Sequence, residues 1–251
     1  MPAPVAKKLS IFFPMWNEEE NIERTLAAAR AACDELVATG RVEDYELLVV
    51  DDASTDATGR LADAFAAADP RVRVVHHERN RKLGGSIKTG FAATTGDLVL
   101  YTDADLPFDL RELGRACHVL DTYGADIVSA YRLDRTGEGY VRSVYSTLYN
   151  VLVRTMFGVK VRDVNFAGKL VRRRVFDHVE LASEGSFIDA ELIVRASKLG
   201  YKVVQVGVDY FPRTRGDSTL AAPGVILTIL RELLQLRGEL RALRPVEIPP
   251  P

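Results

Sequence analysis

Short apolar runs alternate with helix-like segments along the first 130 residues, and this alternation constrains the fold more than any other feature of the chain. Strands that alternate with helices at this spacing form a mostly parallel sheet with helices on both faces. We therefore predict an α/β fold with strands over residues 9–13, 45–50, 71–76, 97–102 and 126–130, and with helices over 18–37, 57–68, 84–95 and 109–123.

The second half of the chain has a different pattern, which predicts helices over 140–157 and 191–199 and a strand over 202–210. The last predicted helix, 225–243, is amphipathic. It fits packing on the body of the protein, a seam between two helices, or a helix that lies on a membrane surface. We expect one domain over 1–221, with halves at 9–125 and 126–221, then a C-terminal helix over 222–244 and a disordered tail over 245–251.

Charge is distributed unevenly, although its overall value is small. The net charge of the 251 residues is -2, which gives no indication of nucleic-acid binding. Residues 139–174, in contrast, contain eight basic residues and one acidic residue, a net charge of +7. This segment predicts either a face that meets an anionic partner or an ordinary solvated helix face.

Membrane insertion and secretion are not indicated by the sequence. No apolar run approaches the roughly 20 residues that a membrane-spanning helix needs. The N-terminus lacks the apolar core of a signal peptide. Cys33 and Cys117 lie far apart among apolar residues, which favours two reduced core cysteines. We expect a cytoplasmic protein that can still lie on the inner face of a membrane.

Acidic residues follow two of the predicted strands directly. Asp51 and Asp52 end one strand, and Asp103 and Asp105 end another. The carboxyl ends of parallel strands meet at one edge of a sheet, where ligands bind. Carboxylate oxygens suit Mg²⁺ or Mn²⁺, which often bind through one or two carboxylates and substrate phosphates. Aspartate is also a common turn former, so one such pair alone would indicate little.

Four ordered motifs resemble family 2 glycosyltransferases of the GT-A fold. They are "FFPMWNEEENIERTL" (12–26), "VVDDASTDAT" (49–58), "HERNRKLGGSIKTGFAATTGD" (77–97) and "YTDADLP" (101–107). With the segments described next, the resemblance covers most of residues 9–220.

The resemblance implies roles for the residues of these motifs. The segment with Pro14, Trp16, Asn17 and Glu18 would line the nucleotide-base pocket, with Trp16 where Tyr is usual. The other implied roles are contact with the base or ribose for Asp52, nucleotide binding for Lys88 in the glycine-containing loop, and binding of Mg²⁺ or Mn²⁺ and the diphosphate for Asp103 and Asp105.

Motifs of the second half are similar to those of polyprenyl-phosphate sugar synthases, the dolichol-phosphate mannose or glucose synthase branch. "VRDVNFAGKLVRR" (161–173) matches at Asp163 and Lys169, and "RTRGDSTL" (213–220) matches at Arg213, Gly216 and Ser218. The chain departs from the pattern at Pro107, Asn165 and Thr219. The residues expected to bind the acceptor are Arg142, Arg162, Asp163, Lys169 and Ser218, and Arg213 is expected to clamp phosphate during catalysis.

The hypothesis is an inverting, metal-dependent transferase that moves a hexose from a GDP-mannose or UDP-glucose type donor to polyprenyl phosphate at the cytoplasmic membrane face. A phosphate acceptor is largely dianionic at neutral pH and needs little general base. A hydroxyl acceptor is the alternative and normally needs a carboxylate base, for which Glu191 and Asp189 are candidates.

Three further alternatives stay open. The chain could be a non-catalytic nucleotide-binding protein on the same fold. A nucleotidyltransferase shares the sheet but usually has a glycine-rich loop after the first strand, where this chain has "FPMWNEEE". The C-terminal helix could pair two chains into a homodimer, and a monomer fits equally well.

Overall fold

The protein is built around one seven-stranded sheet. The computed structural model describes residues 6–134, 140–211 and 223–248. The strands are β1 (Ala6–Met15), β2 (Val42–Asp51), β3 (Val72–His76), β4 (Leu98–Tyr101), β5 (Ile127–Arg132), β6 (Lys169–Arg172) and β7 (Val203–Val208). The helices are α1 (Ile22–Ala38), α2 (Thr58–Ala68), α3 (Lys82–Ala93), α4 (Leu113–Thr122), α5 (Tyr140–Phe157), α6 (Ile188–Leu199) and α7 (Pro223–Ala242).

The strand order is β3-β2-β1-β4-β6-β5-β7. β1 pairs in parallel with β2 and β4, and β2 pairs in parallel with β3. β6 is antiparallel to both of its neighbours, β4 and β5. The carboxyl ends of β1 to β4 therefore lie at one edge of the sheet, as the α/β prediction required.

The central strands are apolar on both faces because helices cover both. Leu9, Ile11, Phe12 and Phe13 of β1 are fully buried, as expected for a strand between two helical layers. One core cluster joins the sheet to α1, α2 and α4, and the other joins it to α3, α5, α6 and α7.

The helices follow the sequence patterns closely. α1 buries one face through residues spaced by three and four positions: Ile22, Leu26, Ala29, Cys33 and Leu36. α6 is buried almost all round and ends at Gly200, whose φ of 99° is the left-handed conformation that glycine adopts most easily.

β6 is the strand that the sequence reading missed. Its four residues, "KLVR", begin and end with a basic residue, which is unusual for a strand in the interior of a sheet. Both charges are neutralised inside the fold. Lys169 Nζ donates to Asp189, and Arg172 Nη2 donates to Asp121 at 2.8 Å.

The segment predicted as a disordered tail differs in part from that prediction. The amide of Val246 donates to Leu199 O at 3.0 Å. Val246 and Ile248 pack against the core cluster beside α6. Within the described part of the chain, no helix is both long enough and apolar enough to cross a membrane.

Candidate active site

The loops that follow β1, β2 and β4 meet at the carboxyl edge of the sheet. The amide of Asp52 donates to Met15 O at 2.8 Å, which joins the ends of β2 and β1. The amide of Thr102 donates to Phe12 O at 3.4 Å, which joins the end of β4 to β1. This edge contains most of the residues to which the family resemblance assigns donor binding.

The loop after β1 is locked to the loop after β2. Asn17 Oδ1 accepts from the amide of Thr55 at 2.8 Å, and the amide of Asn17 donates to Ser54 Oγ at 3.0 Å. The amide of Glu18 donates to Thr58 Oγ1 at 2.8 Å. Trp16 takes no part in these hydrogen bonds and has 49% of its surface exposed, so its ring is accessible for stacking.

Both aspartates that end β2 are buried and bonded to consecutive histidines. Asp51 Oδ2 lies 2.8 Å from His76 Nδ1, and Asp52 Oδ1 lies 2.7 Å from His77 Nδ1. Asp52 Oδ1 also accepts from the amide of Arg81 at 2.7 Å. The Asp51 carboxyl is desolvated, but hydrogen bonds from Ser54 and His76 outweigh that burial and lower its pKa.

Asp103 and Asp105 flank a residue that anchors their loop. Ala104 is buried against the core, whereas both aspartates are half-buried at the edge. The loop backbone is held by α1, because Arg24 Nη2 donates to Asp105 O at 2.9 Å and the hydroxyl of Thr25 donates to Ala104 O. The loop thus carries both carboxylates at the sheet edge on a backbone that α1 holds.

These two carboxylates fit a hard divalent cation that also binds phosphate. Among the described residues, no cluster of three or more His, Cys, Asp or Glu side chains could enclose a metal by itself. Mg²⁺ and Mn²⁺ sites often have only one or two carboxylates and complete their coordination with water and substrate phosphate. The donor set of Asp103 and Asp105 matches that requirement.

A buried polar cluster lies beneath the Asp103 loop. Lys169 is fully buried, donates to Asp189 and to Phe166 O at 2.9 Å, and sits 5.7 Å from the centre of the Tyr101 ring. The hydroxyl of Tyr101 is 3.4 Å from Asp103 Oδ1. Burial raises the pKa of Asp189, and the Lys169 charge opposes that shift.

Two other predicted residues are engaged inside the fold. Asp163 is fully buried and binds the guanidinium of Arg132 through two bonds, at 2.7 and 2.9 Å. Glu191 is fully buried and accepts from the amides of Ala182 and Ser183 and from Arg195 Nε, at 2.9, 2.8 and 2.7 Å. Both carboxylates are thus engaged by donors of the fold, and their predicted roles stay predictions.

The remaining predicted residues lie in different places. Pro14 is part of β1, opposite Val50. Lys88 on α3 bonds to Glu184 and to Ala182 O. Arg162 is exposed, with its guanidinium 5.2 Å from the Tyr131 ring centre. Arg213, Ser218 and the side chain of Arg142 lie outside the described residues, so their roles stay predictions.

Several residues near this edge have a left-handed backbone conformation. Among the described residues, the non-glycine residues with positive φ are Asn17 (55°), Ala53 (58°), Lys82 (59°) and Leu106 (54°). Each follows the end of one of the four strands β1 to β4. Such conformations cost roughly 1 kcal/mol or more and persist where surrounding contacts impose them, which is typical of binding sites.

Sequence reasoning missed the residues that support the aspartates, namely Arg24, Thr25, His76 and His77. The consecutive histidines were a readable signal, because they end β3, which pairs with β2 in a register that places Asp51 opposite His76. The contacts of Arg24 and Thr25 had no such signal, since they depend on how α1 packs against a loop about 80 residues away.

Comparisons with known proteins identify related sequences. The profile of the family described as glycosyl transferase family 2 matches residues 10–180. Glycosyltransferase AglD of Haloferax volcanii is 31% identical over 248 residues, which cover 96% of this chain and 39% of AglD. Polyprenol monophosphomannose synthase of Mycolicibacterium smegmatis is 31% identical over 237 residues, which cover 89% of this chain and 86% of that protein.

Solved structures support the same relationship at the level of the fold. Glucosyl-3-phosphoglycerate synthase from Mycobacterium tuberculosis, in complex with Mn²⁺ and UDP-glucose, aligns with a TM-score of 0.65 at 25% identity. The alignment covers 90% of this chain and 78% of that one. The predicted GT-A fold is thereby confirmed. The family match runs from β1 to the turn that follows β6 and so includes the strand ends described above, and the chain belongs to glycosyl transferase family 2.

Proposed function

We propose that this chain transfers a hexose, with inversion, from a nucleotide-sugar of the GDP-mannose or UDP-glucose type to polyprenyl phosphate at a membrane surface. The observation that carries the proposal is the meeting of Trp16, Asp52, Asp103 and Asp105 at one sheet edge. That edge offers a stacking ring, a nucleoside acceptor and a pair of carboxylates for the cation of a nucleoside diphosphate.

Each group has a separate task in donor binding. The Trp16 ring would stack on the base, and Asp52 would accept a hydrogen bond from the nucleoside. Asp103 and Asp105 would hold Mg²⁺ or Mn²⁺, which when bound neutralises charge on the departing diphosphate. The M. tuberculosis neighbour, solved with Mn²⁺ and UDP-glucose, supports this assignment. Arg213 remains a predicted phosphate clamp.

The state of the candidate bases favours a phosphate acceptor over a hydroxyl. A general base must come within hydrogen-bond reach of the acceptor hydroxyl. Glu191 is fully buried with three donors on its carboxylate, and Asp189 is buried against Lys169. A phosphate acceptor needs no such base, since it carries most of its negative charge at neutral pH. The name of the M. smegmatis relative agrees with this preference.

Several basic residues of the segment 139–174 are engaged inside the fold, so its net charge overstates the charge that is available to an anionic acceptor. Lys169, Arg172 and Arg174 form ion pairs inside the fold, and Arg173 Nε donates to Gly96 O at 2.6 Å. The basic side chains of the segment that are exposed among the described residues are Arg154, Lys160 and Arg162. They are the described residues of this segment that could meet an anionic headgroup or lipid surface.

α5 and α7 each expose apolar residues that suit contact with a bilayer. On α5 they are Val144, Tyr145, Leu148 and Val151, and on α7 they are Leu227, Leu230 and Leu234. The exposed side of α7 also carries Arg231, Arg237 and Arg241. Apolar residues flanked by arginines are typical of helices that lie in the interface of an anionic membrane. We propose this membrane contact in preference to a dimer seam, because like charges would face each other across a seam.

A transfer assay tests the proposal. The purified chain would be incubated with polyprenyl phosphate in vesicles, Mn²⁺ and a panel of radiolabelled GDP- and UDP-hexoses. We expect labelled lipid from one donor, and a loss of about 100-fold or more in Asp105→Asn, because the metal-held diphosphate is the main charge that must be stabilised.

The matched control is Asp109→Asn, four residues along the same loop, whose carboxylate bonds to Arg111. It should keep nearly full activity. Full activity in Asp105→Asn would contradict the metal assignment. Transfer to soluble hydroxyl acceptors, with none to the lipid phosphate, would contradict the acceptor.

A further inference from the structure

Consecutive residues at the ends of β2 and β3 form two carboxylate–histidine pairs that lie on opposite faces of the sheet. Asp51 and His76 face α2, where His76 Nε2 lies 3.0 Å from Asp63 Oδ1. Asp52 and His77 face α3, where His77 Nε2 lies 2.9 Å from Thr89 Oγ1. The alternation follows from the two-residue period of a strand.

The pair on the α3 side is the more enclosed of the two. The side chains of His77 and Asp52 are 6% and 5% exposed, whereas that of His76 is 43% exposed. The backbone reinforces the pair, because the amide of His77 donates to Asp51 O at 2.9 Å. His77 therefore has little freedom to turn away from Asp52.

The direction of the hydrogen bonds follows from the chemistry of the partners. A carboxylate only accepts, so His77 Nδ1 donates to Asp52 Oδ1. Nε2 of a neutral imidazole then accepts from the Thr89 hydroxyl, and Thr89 Oγ1 in turn lies 3.3 Å from Arg81 Nη1. The amide of Arg81 supplies the second bond to Asp52 Oδ1. The chain of contacts thus returns to the carboxylate from which it began.

Both of these bonds end on the same oxygen of Asp52. The other oxygen, Oδ2, is the one that remains to receive a donor from a ligand. An aspartate held through one oxygen presents the second in a fixed direction, as outer residues do for the ligands of metal sites.

We propose that His77 is a positioning residue for nucleotide binding, which holds Asp52 through Oδ1 so that Oδ2 faces the nucleoside. This inference rests on the proposed function, because it takes Asp52 as a nucleoside contact. His77 itself touches no substrate. Its effect should therefore appear in the affinity for the nucleotide rather than in the rate of the chemical step.

The test uses two substitutions of His77, of which one keeps a hydrogen-bond donor for Asp52 and the other removes it. His77→Asn keeps an amide nitrogen near the position of Nδ1, whereas His77→Leu removes both nitrogens. Dissociation constants for UDP and GDP would be measured by titration calorimetry with Mn²⁺. We expect the constant to rise about tenfold in His77→Leu and less than about threefold in His77→Asn, because a bond to a charged group is lost only in the first.

Two further variants keep the test decisive. His118→Leu removes an exposed histidine of α4, on the opposite side of the sheet from α3, and should leave nucleotide affinity unchanged. Thr89→Val removes the partner of Nε2 and should weaken binding by about threefold, so it serves if His77→Leu does not fold. Turnover at saturating donor should change by less than about threefold in every folded His77 and Thr89 variant, whereas a general loss of structure would lower it.

The outcomes separate this inference from the proposed function. If the unsubstituted chain binds neither UDP nor GDP, both are overturned. If it binds one of them and folded His77→Leu binds it equally well, only the positioning role is overturned. Equal weakening in His77→Asn and His77→Leu would also overturn it, because the bond to Asp52 would then not be the cause.

Discussion

Some carboxylates of this protein form ion pairs inside the fold, and others lie accessible at the edge of the sheet. Glu46, Asp163 and Glu191 are buried, and each is bonded to an arginine. Asp103 and Asp105 are only half-buried, on a loop that α1 holds. The residue types alone could not separate these groups, because the separation depends on which side chains the folded chain places beside each carboxylate.

Glu46 makes the stability of the protein depend on pH. Burial by itself would raise its pKa, but hydrogen bonds from Ser10, Thr95 and Arg73 outweigh burial and lower the pKa from 4.5 to about 2. The unfolded chain therefore takes up this proton first as the pH falls. The contribution of Glu46, about 3 kcal/mol, is complete above pH 4.5 and is lost between pH 4.5 and 2.

Urea unfolding of Glu46→Gln beside the unsubstituted chain would measure this effect. We expect the variant to be less stable by a few kcal/mol at pH 7, because a buried acceptor of several donors has been altered. The gap should narrow toward pH 2.5, because the unfolded chain takes up the proton of Glu46 over this range while the native carboxylate does not yet. An equal gap at both pH values would contradict the assigned shift.

The sequence predicted the individual site residues unevenly. Asp52, Asp103 and Asp105 could be placed at one edge because they end apolar runs, and the position of a strand end needs no tertiary information. Asp163 and Lys169 were predicted from a motif and Glu191 as a candidate base, and the structure buries all three. Their bonds to Arg132, Asp189 and Arg195 depend on side-chain packing that no local pattern contains.

At the scale of elements, α3 approaches β1 so closely that one helix position must lack a side chain. A Cβ at Gly90 would lie 2.2 Å from two atoms of the Phe12 ring. Gly90→Ala should therefore destabilise the protein by about 1–3 kcal/mol, although alanine is the better helix former.

Gly238 of α7 is the matched control, since a Cβ there would meet nothing within 4 Å. Gly238→Ala should stabilise the protein by up to about 1 kcal/mol. Thermal unfolding of the two variants should shift in opposite directions. A shift of the same sign in both would mean that helix propensity, and not contact with Phe12, decides the result.

The elements were predicted where their apolar residues form a recognisable pattern. α1 and α5 and the strands β1 and β2 carry enough apolar residues for their period to be read. β6 has four residues and two of them are basic, so its pattern resembles a loop. The antiparallel position of β6 in the sheet therefore could not be predicted from the sequence and was found in the structure.

At the scale of the whole molecule, the exposed apolar residues of α5 and α7 predict binding to membranes. The unsubstituted chain should sediment with vesicles that contain about 30% anionic lipid, and about 0.5 M salt should weaken the binding because basic residues contribute to it. The double substitution Leu148→Glu and Leu234→Glu should reduce binding at least about tenfold, because it places charge where apolar contact is needed.

Tyr123→Glu provides a control for this prediction, because Tyr123 is an exposed aromatic residue beside α4, on the other face of the sheet. It should bind vesicles as the unsubstituted chain does. Analytical ultracentrifugation tests the alternative that a second copy of the chain covers these apolar residues. A dimer in solution that the Leu148 and Leu234 substitutions dissociate would mean that this face joins two chains instead.

The place of β6 in the sheet also governs how the protein can be divided or recombined. β4, which precedes the Asp103 loop, pairs with β6 so that Tyr101 lies opposite Lys169. A fragment that ends near residue 125 would leave one side of β4 unpaired, and exposed strand edges of this kind promote aggregation. A chimaera that exchanges the acceptor-binding half with that of a relative should therefore carry β6 together with the donor-binding half, with its partners at β5 and α6 matched to it. The second half of the chain thus supplies β6 to the sheet that carries the candidate site of the first half. Neither half is therefore a complete structural unit without the other.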